Sequence, residues 1–311
     1  MDFFALLGTV ISLYYLLKLA DFVWFYFLRP SDGYKKYQRG PQSYALITGS
    51  TDGIGKSLAK DLYRKGFNVI VHGRDEKKLK ATVDEIKALR EDGIVESFIA
   101  DVTSSSIDYA DIAKRFDDLN ITLLINNVGG TYLESKRFEE WSENDHLSVI
   151  RWNALFPTLL TRAFLPSLRK TSLSHPVLIV FNGSFSAEFA IPRIPLYTAS
   201  KAFVHRLPSS LSADERFIAG QSNIEFMYLH TGSVQSNTIT EPADFSRPTS
   251  DDYAAHIVKA FGSGREEVVP YIGHRIGLTI IHSLPSFILR GALKGEANKL
   301  FIMEAKKSKK E

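Results

Sequence analysis

The chain contains no cysteine. Disulfides and thiolate metal ligands are therefore excluded, and a chain facing a reducing compartment fits best. Charge of one sign is also scarce in excess. The 38 Lys and Arg against 35 Asp and Glu leave a net charge of +3, too weak a surplus to hold nucleic acid. The eight histidines show no HExxH or similar local spacing, so no structural or catalytic metal is expected. No internal repeat is visible, which excludes solenoids and propellers. The start, Met1-Asp2, lacks the basic region of a cleaved signal peptide, and no A-x-A site follows the first apolar run.

What is present begins with that run. Residues 3–28, "FFALLGTVISLYYLLKLADFVWFYFL", carry only Lys18 and Asp21 as charges. As a helix they would reach roughly 39 Å, more than the ~30 Å hydrocarbon core of a bilayer. Lys18 and Asp21 stand three apart and are expected to share a face and partly neutralise each other. Residues 1–29 are thus expected to be a membrane anchor. A buried core helix is the alternative, disfavoured because bulky aromatic residues crowd every face. Arg29, Lys35, Lys36 and Arg39 follow the run, which places the main domain on the cytosolic side. The chain ends "KKSKKE", with Lys307 and Lys309 five and three positions from the end. That tail resembles the dilysine signal of endoplasmic-reticulum membrane proteins.

Past a linker over 30–43, apolar runs alternate with amphipathic segments. Strands are expected at 44–48, 67–72, 95–100, 121–126, 176–181 and 223–229. Helices are expected at 54–65, 75–92, 106–118, 139–169 with a break, and 196–213. This order predicts an α/β fold, a Rossmann-like doubly wound parallel sheet covered on both faces and preceded by the N-terminal membrane helix. The domain is expected to span 44–270. The apolar-rich stretch 271–292, within a C-terminal segment 271–311 that ends in the basic tail, is expected to lie on the membrane or cover a pocket.

The first strand runs into "TGSTDGIG", Thr48–Gly55, and a helix follows. Gly49, Gly53 and Gly55 allow a tight turn and a close approach of backbone to a pyrophosphate. Ser50, Thr51, Asp52 and Ile54 complete this loop, and the helix N-terminus offers N–H groups to phosphate. After the second strand comes Arg74, which favours the 2′-phosphate of NADP, and then Asp75, which reads as a helix N-cap. Asp101 after the third strand is placed to accept from an adenine amino group. Asn126, Asn127 and Gly129 line the loop after the fourth.

A Tyr-x-x-x-Lys pair occurs three times, as Tyr14/Lys18, Tyr132/Lys136 and Tyr197/Lys201. The first lies in the apolar run, and the second lies just past a loop, at the surface or on a substrate rim. Only Tyr197/Lys201 follows a serine-bearing strand. With TGxxxGIG at 48–55, NNVG at 126–129 and Ser184 thirteen residues before Tyr197, the chain resembles the short-chain dehydrogenase/reductase family. Within it, the phrases "GSTDGIGK" and "NGSF…YTASKAF", the anchor and the tail look most like membrane-bound very-long-chain 3-oxoacyl-CoA reductases and the related 17β-hydroxysteroid dehydrogenases.

The resemblance implies a catalytic tetrad. Tyr197 would be the proton donor and Lys201 would lower its pKa and bond the nicotinamide ribose. Ser184 would bond the substrate carbonyl, and Asn153 would support Lys201. Ser186 is the neighbour most easily confused with Ser184. Tyr197, Lys201, Ser233, Asn127 and Gly129 would also touch NADPH. The implied reaction is NADPH-dependent reduction of a lipid ketone, a 3-oxoacyl-CoA first, in very-long-chain fatty acid elongation. A steroid, retinoid or terpenoid ketone is the alternative substrate, and a non-catalytic NADPH-binding membrane scaffold is the alternative of another class. A homodimer or partners in an elongation complex would be compatible with either. Two departures stand out: Thr231 replaces the proline of the family's Pro-Gly, with His230 beside it, and Pro208 lies beyond Lys201 in its helix.

Overall fold

The computed structural model describes residues 3–38, 40, 42–132, 136–219 and 223–307. The apolar run forms α1 (Phe3–Val23), continued by one π-helical turn over Trp24–Leu28. No side chain of α1 is buried, so it is not a core helix. Phe3–Leu28 is long and apolar enough to cross a membrane. Its lower end is docked. Phe25 is buried, the Arg265 guanidinium covers its ring at 4.2 Å, and the Tyr26 hydroxyl donates to the Val269 carbonyl at 2.7 Å. Arg265 also takes Asp21 at 2.5 Å, while Lys18 stands 5.6 Å from the Tyr14 ring centroid. The expected Lys18–Asp21 pairing therefore does not form, because a domain arginine reaches Asp21 with a better-placed guanidinium.

The strands are β1 (Tyr44–Ile47), β2 (Asn68–Gly73), β3 (Val95–Ile99), β4 (Ile121–Asn126), β5 (Val177–Asn182), β6 (Ile224–Leu229) and β7 (Glu267–Val268). They form one parallel sheet in the order β3-β2-β1-β4-β5-β6-β7. The winding reverses between β1 and β4, and a crevice opens there at the carboxyl ends of the strands. Every residue of β1, β2, β4 and β5 is buried, as continuous apolar runs require when both faces are covered.

On one face pack α2 (Gly53–Arg64), α3 (Glu76–Lys87) and α8 (Ser250–Ala260), sharing a core with the end of the anchor. On the other face lie α4 (Tyr109–Arg115), α6 (Phe156–Ser172) and α7 (Pro195–Ala219), with α5 (Glu143–Ile150) leading into α6. Phe156, Leu160, Phe164 and Leu168 recur every four residues and form the buried stripe of α6. Burying each contributes about 1.5–3 kcal/mol.

The helix starts follow their caps. Asp75 accepts from the Lys78 N–H at 2.9 Å, Asp108 from Asp111, and Ser142 forms a capping box with Asp145. α7 runs through Pro208 to Ala219, past the expected end at 213. The C-terminal stretch forms α9 (Ile272–Ser283) and α10 (Ser286–Lys307). Lys309 and Arg39 lie outside the described residues.

Candidate active site

The glycine loop joins β1 to α2. Gly49 and Gly53 have φ of +66° and +51°, the left-handed region in which glycine is unstrained. A methyl group on Gly55 would lie 2.2 Å from the Gly49 carbonyl oxygen, so helix and loop touch only because that position is bare. Asp52 caps α2 by accepting from the Gly53 N–H at 2.7 Å and is tied to the opposite wall by Asn237 at 2.8 Å. Ser50 is buried, its hydroxyl bonded to the Ile47 carbonyl. Thr51 packs beneath Gly73, and Ile54 joins the core beside it.

His72 holds this loop from β2. Its Nδ1 accepts the Gly49 N–H at 3.1 Å, and Nε2 faces the Ala100 carbonyl at 3.1 Å, which fixes the Nε2–H tautomer. The ring lies between Phe98 and Phe156, and burial lowers its pKa to about 4. Arg74 follows β2 and is exposed. Asp101 is held below the usual carboxylate range, first by the Thr103 N–H, then by the Thr103 hydroxyl and by Arg74.

A hydrogen-bonded line crosses the sheet ends. Asn127 N–H donates to the Thr48 hydroxyl at 2.9 Å and its side-chain amide donates to the Thr48 carbonyl. Asn182 donates to Asn127 at 2.9 Å and accepts from the Thr231 hydroxyl at 2.5 Å. Tyr253 donates to Thr231 at 3.0 Å. Thr231 thus supplies by hydrogen bonding the rigidity that a proline would supply by its ring. His274 of α9 closes the same loop. Its Nδ1 accepts the Gly232 N–H at 3.3 Å, and its Nε2–H donates to the Ser233 carbonyl at 3.0 Å.

Lys201 is 4 % exposed, and its ammonium donates to the Asn182 carbonyl at 3.0 Å. Burial lowers its pKa to about 8. Asn153 sits in a π-helical turn, Arg151–Leu155, between α5 and α6. Such turns recur at functional sites because they re-aim a side chain. Its amide donates to the carbonyls of Gly130 and Val149, and its oxygen accepts the Gly130 N–H at 3.0 Å. A methyl on Gly129 would lie 2.8 Å from Lys201 Nζ and 3.1 Å from Asn153 Oδ1, so both groups converge on one glycine.

Tyr197 and Lys201 share a face of α7, with the ammonium 5.8 Å from the phenol ring centroid. Burial raises the Tyr197 pKa, against the neighbouring Ser184 and Ser186 hydroxyls, which favour the phenolate. Ser184 ends the fifth strand's turn, and its hydroxyl accepts the Ser186 N–H at 3.2 Å. Tyr228 pins the serine's backbone, accepting from its N–H at 3.1 Å. The structure thus brings Tyr197, Ser184, Ser186, Lys201, Asn153, Asn127, Gly129 and the Gly232–Ser233 turn to one end of the sheet. His72, Asn182, Tyr228 and His274 were not visible as site residues in the sequence. The phrase "FNGSF" was the one signal that could have drawn attention to Asn182.

In front of Tyr197 lies a cavity of about 320 Å³, lined by Tyr132, Phe138, Trp141, Val149, Ile194 and Leu196, with Glu139, Asp145 and His146 among the polar residues of its wall. Tyr132 stacks on Trp141, and exposed Lys136, Arg137 and Arg193 stand at its edge. Tyr132/Lys136 is therefore on the rim. Arg193 has φ of +78°, a conformation that costs about 1 kcal/mol for a non-glycine residue. Glu188 of the same segment turns away from this cavity, towards His230 and His282.

The profile of the short chain dehydrogenase family matches residues 43–244. The chain belongs to that family. It is therefore an oxidoreductase. A Caenorhabditis elegans protein with a provisional steroid dehydrogenase name is 31% identical over 87% of this chain and 84% of its own length. The very-long-chain 3-oxoacyl-CoA reductase of Kluyveromyces lactis is 32% identical over 72% of this chain and 66% of its own. A short-chain dehydrogenase from Sphingobium yanoikuyae in complex with NADPH has the same fold, with a TM-score of 0.63 and 22% identity over 78% of this chain and 97% of its own.

Proposed function

We propose that this chain reduces a ketone on a membrane lipid with NADPH, and that a long-chain 3-oxoacyl-CoA, reduced to the 3-hydroxyacyl-CoA of fatty acid elongation, is its leading substrate. The observation that carries this reading is Tyr197, one helical turn from the buried Lys201 on α7, opening onto a cavity with aromatic and aliphatic walls.

The residues present suit a dinucleotide. The loop of Gly49, Ser50, Thr51, Asp52, Gly53, Ile54 and Gly55 would hold the pyrophosphate, with Asn127, Gly129, Lys201 and Ser233 along the nicotinamide ribonucleotide and Asp101 at the adenine. Exposed Arg74 would meet a 2′-phosphate, while Asp75, the residue that would favour a 2′-hydroxyl, already caps α3. When bound, the nicotinamide supplies the hydride that reaches the carbonyl carbon. Tyr197 then gives its proton to the carbonyl oxygen, and Ser184 donates a hydrogen bond to that oxygen. The neutral phenol is the proton-bearing form that a reductase needs, and a group that favours the phenolate eases the transfer. The Lys201 ammonium stabilises the phenolate left behind, and Asn153 and Gly129 fix its approach.

The aromatic cavity suits an acyl chain, and Lys136, Arg137 and Arg193 suit the phosphates of a coenzyme A. A steroid ketone fits the same walls, a reading favoured by the name of the C. elegans relative. The span Phe3–Leu28 would anchor the chain in the endoplasmic reticulum, with residues 44–270 as the catalytic domain on the cytosolic face and 271–311 against the membrane. There it would act alone, as a homodimer, or beside elongation enzymes. Turnover of a panel of 3-oxoacyl-CoAs and steroid ketones with NADPH decides between the substrates. No turnover of any panel member, or unchanged turnover in Tyr197→Phe, defeats the enzyme reading.

A further inference from the structure

A second cavity, of about 750 Å³, lies between the anchor, α9 and the edge of the sheet, and shares no lining residue with the first. Five titratable side chains form a line along its wall. His282 Nε2 stands 2.7 Å from Glu188 Oε2, and Glu188 Oε1 stands 2.7 Å from His230 Nδ1. His230 Nε2 stands 3.2 Å from Glu267 Oε2, and His205 Nε2 stands 3.2 Å from that same oxygen. None of the five has a part in the reaction above.

The proton count is unusual. His230 is 7 % exposed and carries a carboxylate on each ring nitrogen. A neutral imidazole has one N–H and cannot donate to both. His230 Nε2 lines up with Glu267 Oε2, whereas Nδ1 and Glu188 Oε1, though 2.7 Å apart, are out of line for a hydrogen bond. His205 Nε2 is buried and has no hydrogen-bond partner, an orphan that a cation at this point would satisfy. The second imidazole, His205, aims at the same point. One ligand atom from each of His205, His230 and Glu267 lies within 4.8 Å of the other two. The two 3.2 Å edges match the roughly 3.3 Å edge of a tetrahedron with zinc–nitrogen and zinc–oxygen bonds of about 2.0–2.1 Å.

The surroundings have the form of a supporting shell. A metal-bound histidine usually donates its other N–H to a carboxylate. Glu188 stands ready for His230 and is itself met by His282. Tyr228 fixes both rings, stacked on His205 at 4.5 Å and edge-on to His230 at 4.8 Å. Exposed Arg206 approaches only the other Glu267 oxygen, at 3.9 Å, and leaves the converging point clear. The donors come from α7, the residue just past β6, and β7, 25 and 37 residues apart in sequence, which is why no local spacing announced them.

We propose that His205, His230 and Glu267 bind one divalent transition-metal ion of the zinc class, with Glu188 orienting His230. Two imidazoles and a carboxylate suit zinc, and water from the cavity completes the fourth position. Through Glu188, four residues after Ser184, the ion would brace the catalytic segment.

The test uses the full chain in detergent micelles, stripped of metal by chelator and titrated with Zn²⁺ by calorimetry and with Co²⁺ by visible absorption. The expected result is one Zn²⁺ per chain and the intense d–d bands of four-coordinate Co²⁺. Glu188→Gln should weaken Zn²⁺ binding by roughly 10-fold. The double variant His205→Ala/Glu267→Gln should abolish stoichiometric binding and the Co²⁺ bands, with circular dichroism unchanged. The wild-type titration decides alone if that variant fails to fold. Absence of stoichiometric binding in the wild type, or binding that persists in the folded double variant, overturns the proposal. A His230 ring shown by NMR to carry both protons in Zn²⁺-saturating conditions overturns it as well.

Discussion

Replacing Lys201 by methionine should make the protein more stable while removing its activity. The ammonium is buried, and burial lowers its pKa from 10.5 to about 8. That difference corresponds to about 3 kcal/mol, at 1.36 kcal/mol for each tenfold change in proton affinity. Methionine has a similar length and no charge to desolvate. It leaves the Asn182 carbonyl without its donor, a loss of about 1 kcal/mol. The net gain is about 2 kcal/mol at pH 7, a rise of several degrees in Tm.

The pH dependence carries the sign. Between about 8 and 10.5 the unfolded chain holds a proton on Lys201 that the folded chain has released. Wild-type stability therefore gains from Lys201 as pH rises through this window, and below about 8 it carries the full cost. The advantage of Lys201→Met should thus be greatest below pH 8 and shrink towards pH 10.5. Thermal unfolding of the cofactor-free protein in detergent at a series of pH values measures it. A variant less stable than wild type at pH 7, or a difference that does not change across the window, refutes the reasoning.

Gly129→Ala should leave the fold intact but lower turnover at least 10-fold, since the new methyl meets Lys201 Nζ at 2.8 Å; steady-state kinetics at saturating NADPH reads this. Arg74→Ala should raise the Kd for NADPH by roughly 10- to 100-fold, the worth of one charged hydrogen bond, and leave NADH unchanged by fluorescence titration. His72 has a lowered pKa, so its contribution to stability is present above the ordinary histidine value of 6.5 and is lost as pH falls towards 4. His72→Gln, which can still accept from Gly49 and donate to Ala100, should flatten this acid loss in a denaturant series.

The order of strands and helices was legible because β1, β2, β4 and β5 are buried on both faces and read as unbroken apolar runs. Helix starts were legible where a cap announces them, as Asp75 does for α3. β7 was not, because Glu267 and Val268 are too short a run and pair only through β6. The nucleotide loop, Tyr197, Lys201 and Ser184 were found by position in the order of elements, since Tyr-x-x-x-Lys alone recurs in the anchor and on the rim. What stayed hidden is what the fold makes from distant residues. Arg265 reaches back 244 positions to Asp21, and His274 reaches 41 positions to Ser233. The raised pKa of Tyr197 and the lowered one of Lys201 were hidden too, because both come from burial that only the packed fold creates.

The most direct measurement is NADPH oxidation by the purified full-length chain with a long-chain 3-oxoacyl-CoA, wild type beside Tyr197→Phe. A proton donor of this kind contributes roughly 10²–10⁴-fold to the rate. The expected result is turnover in the wild type and a loss of that size in Tyr197→Phe, with NADPH affinity retained. Equal turnover in the two proteins would contradict the account.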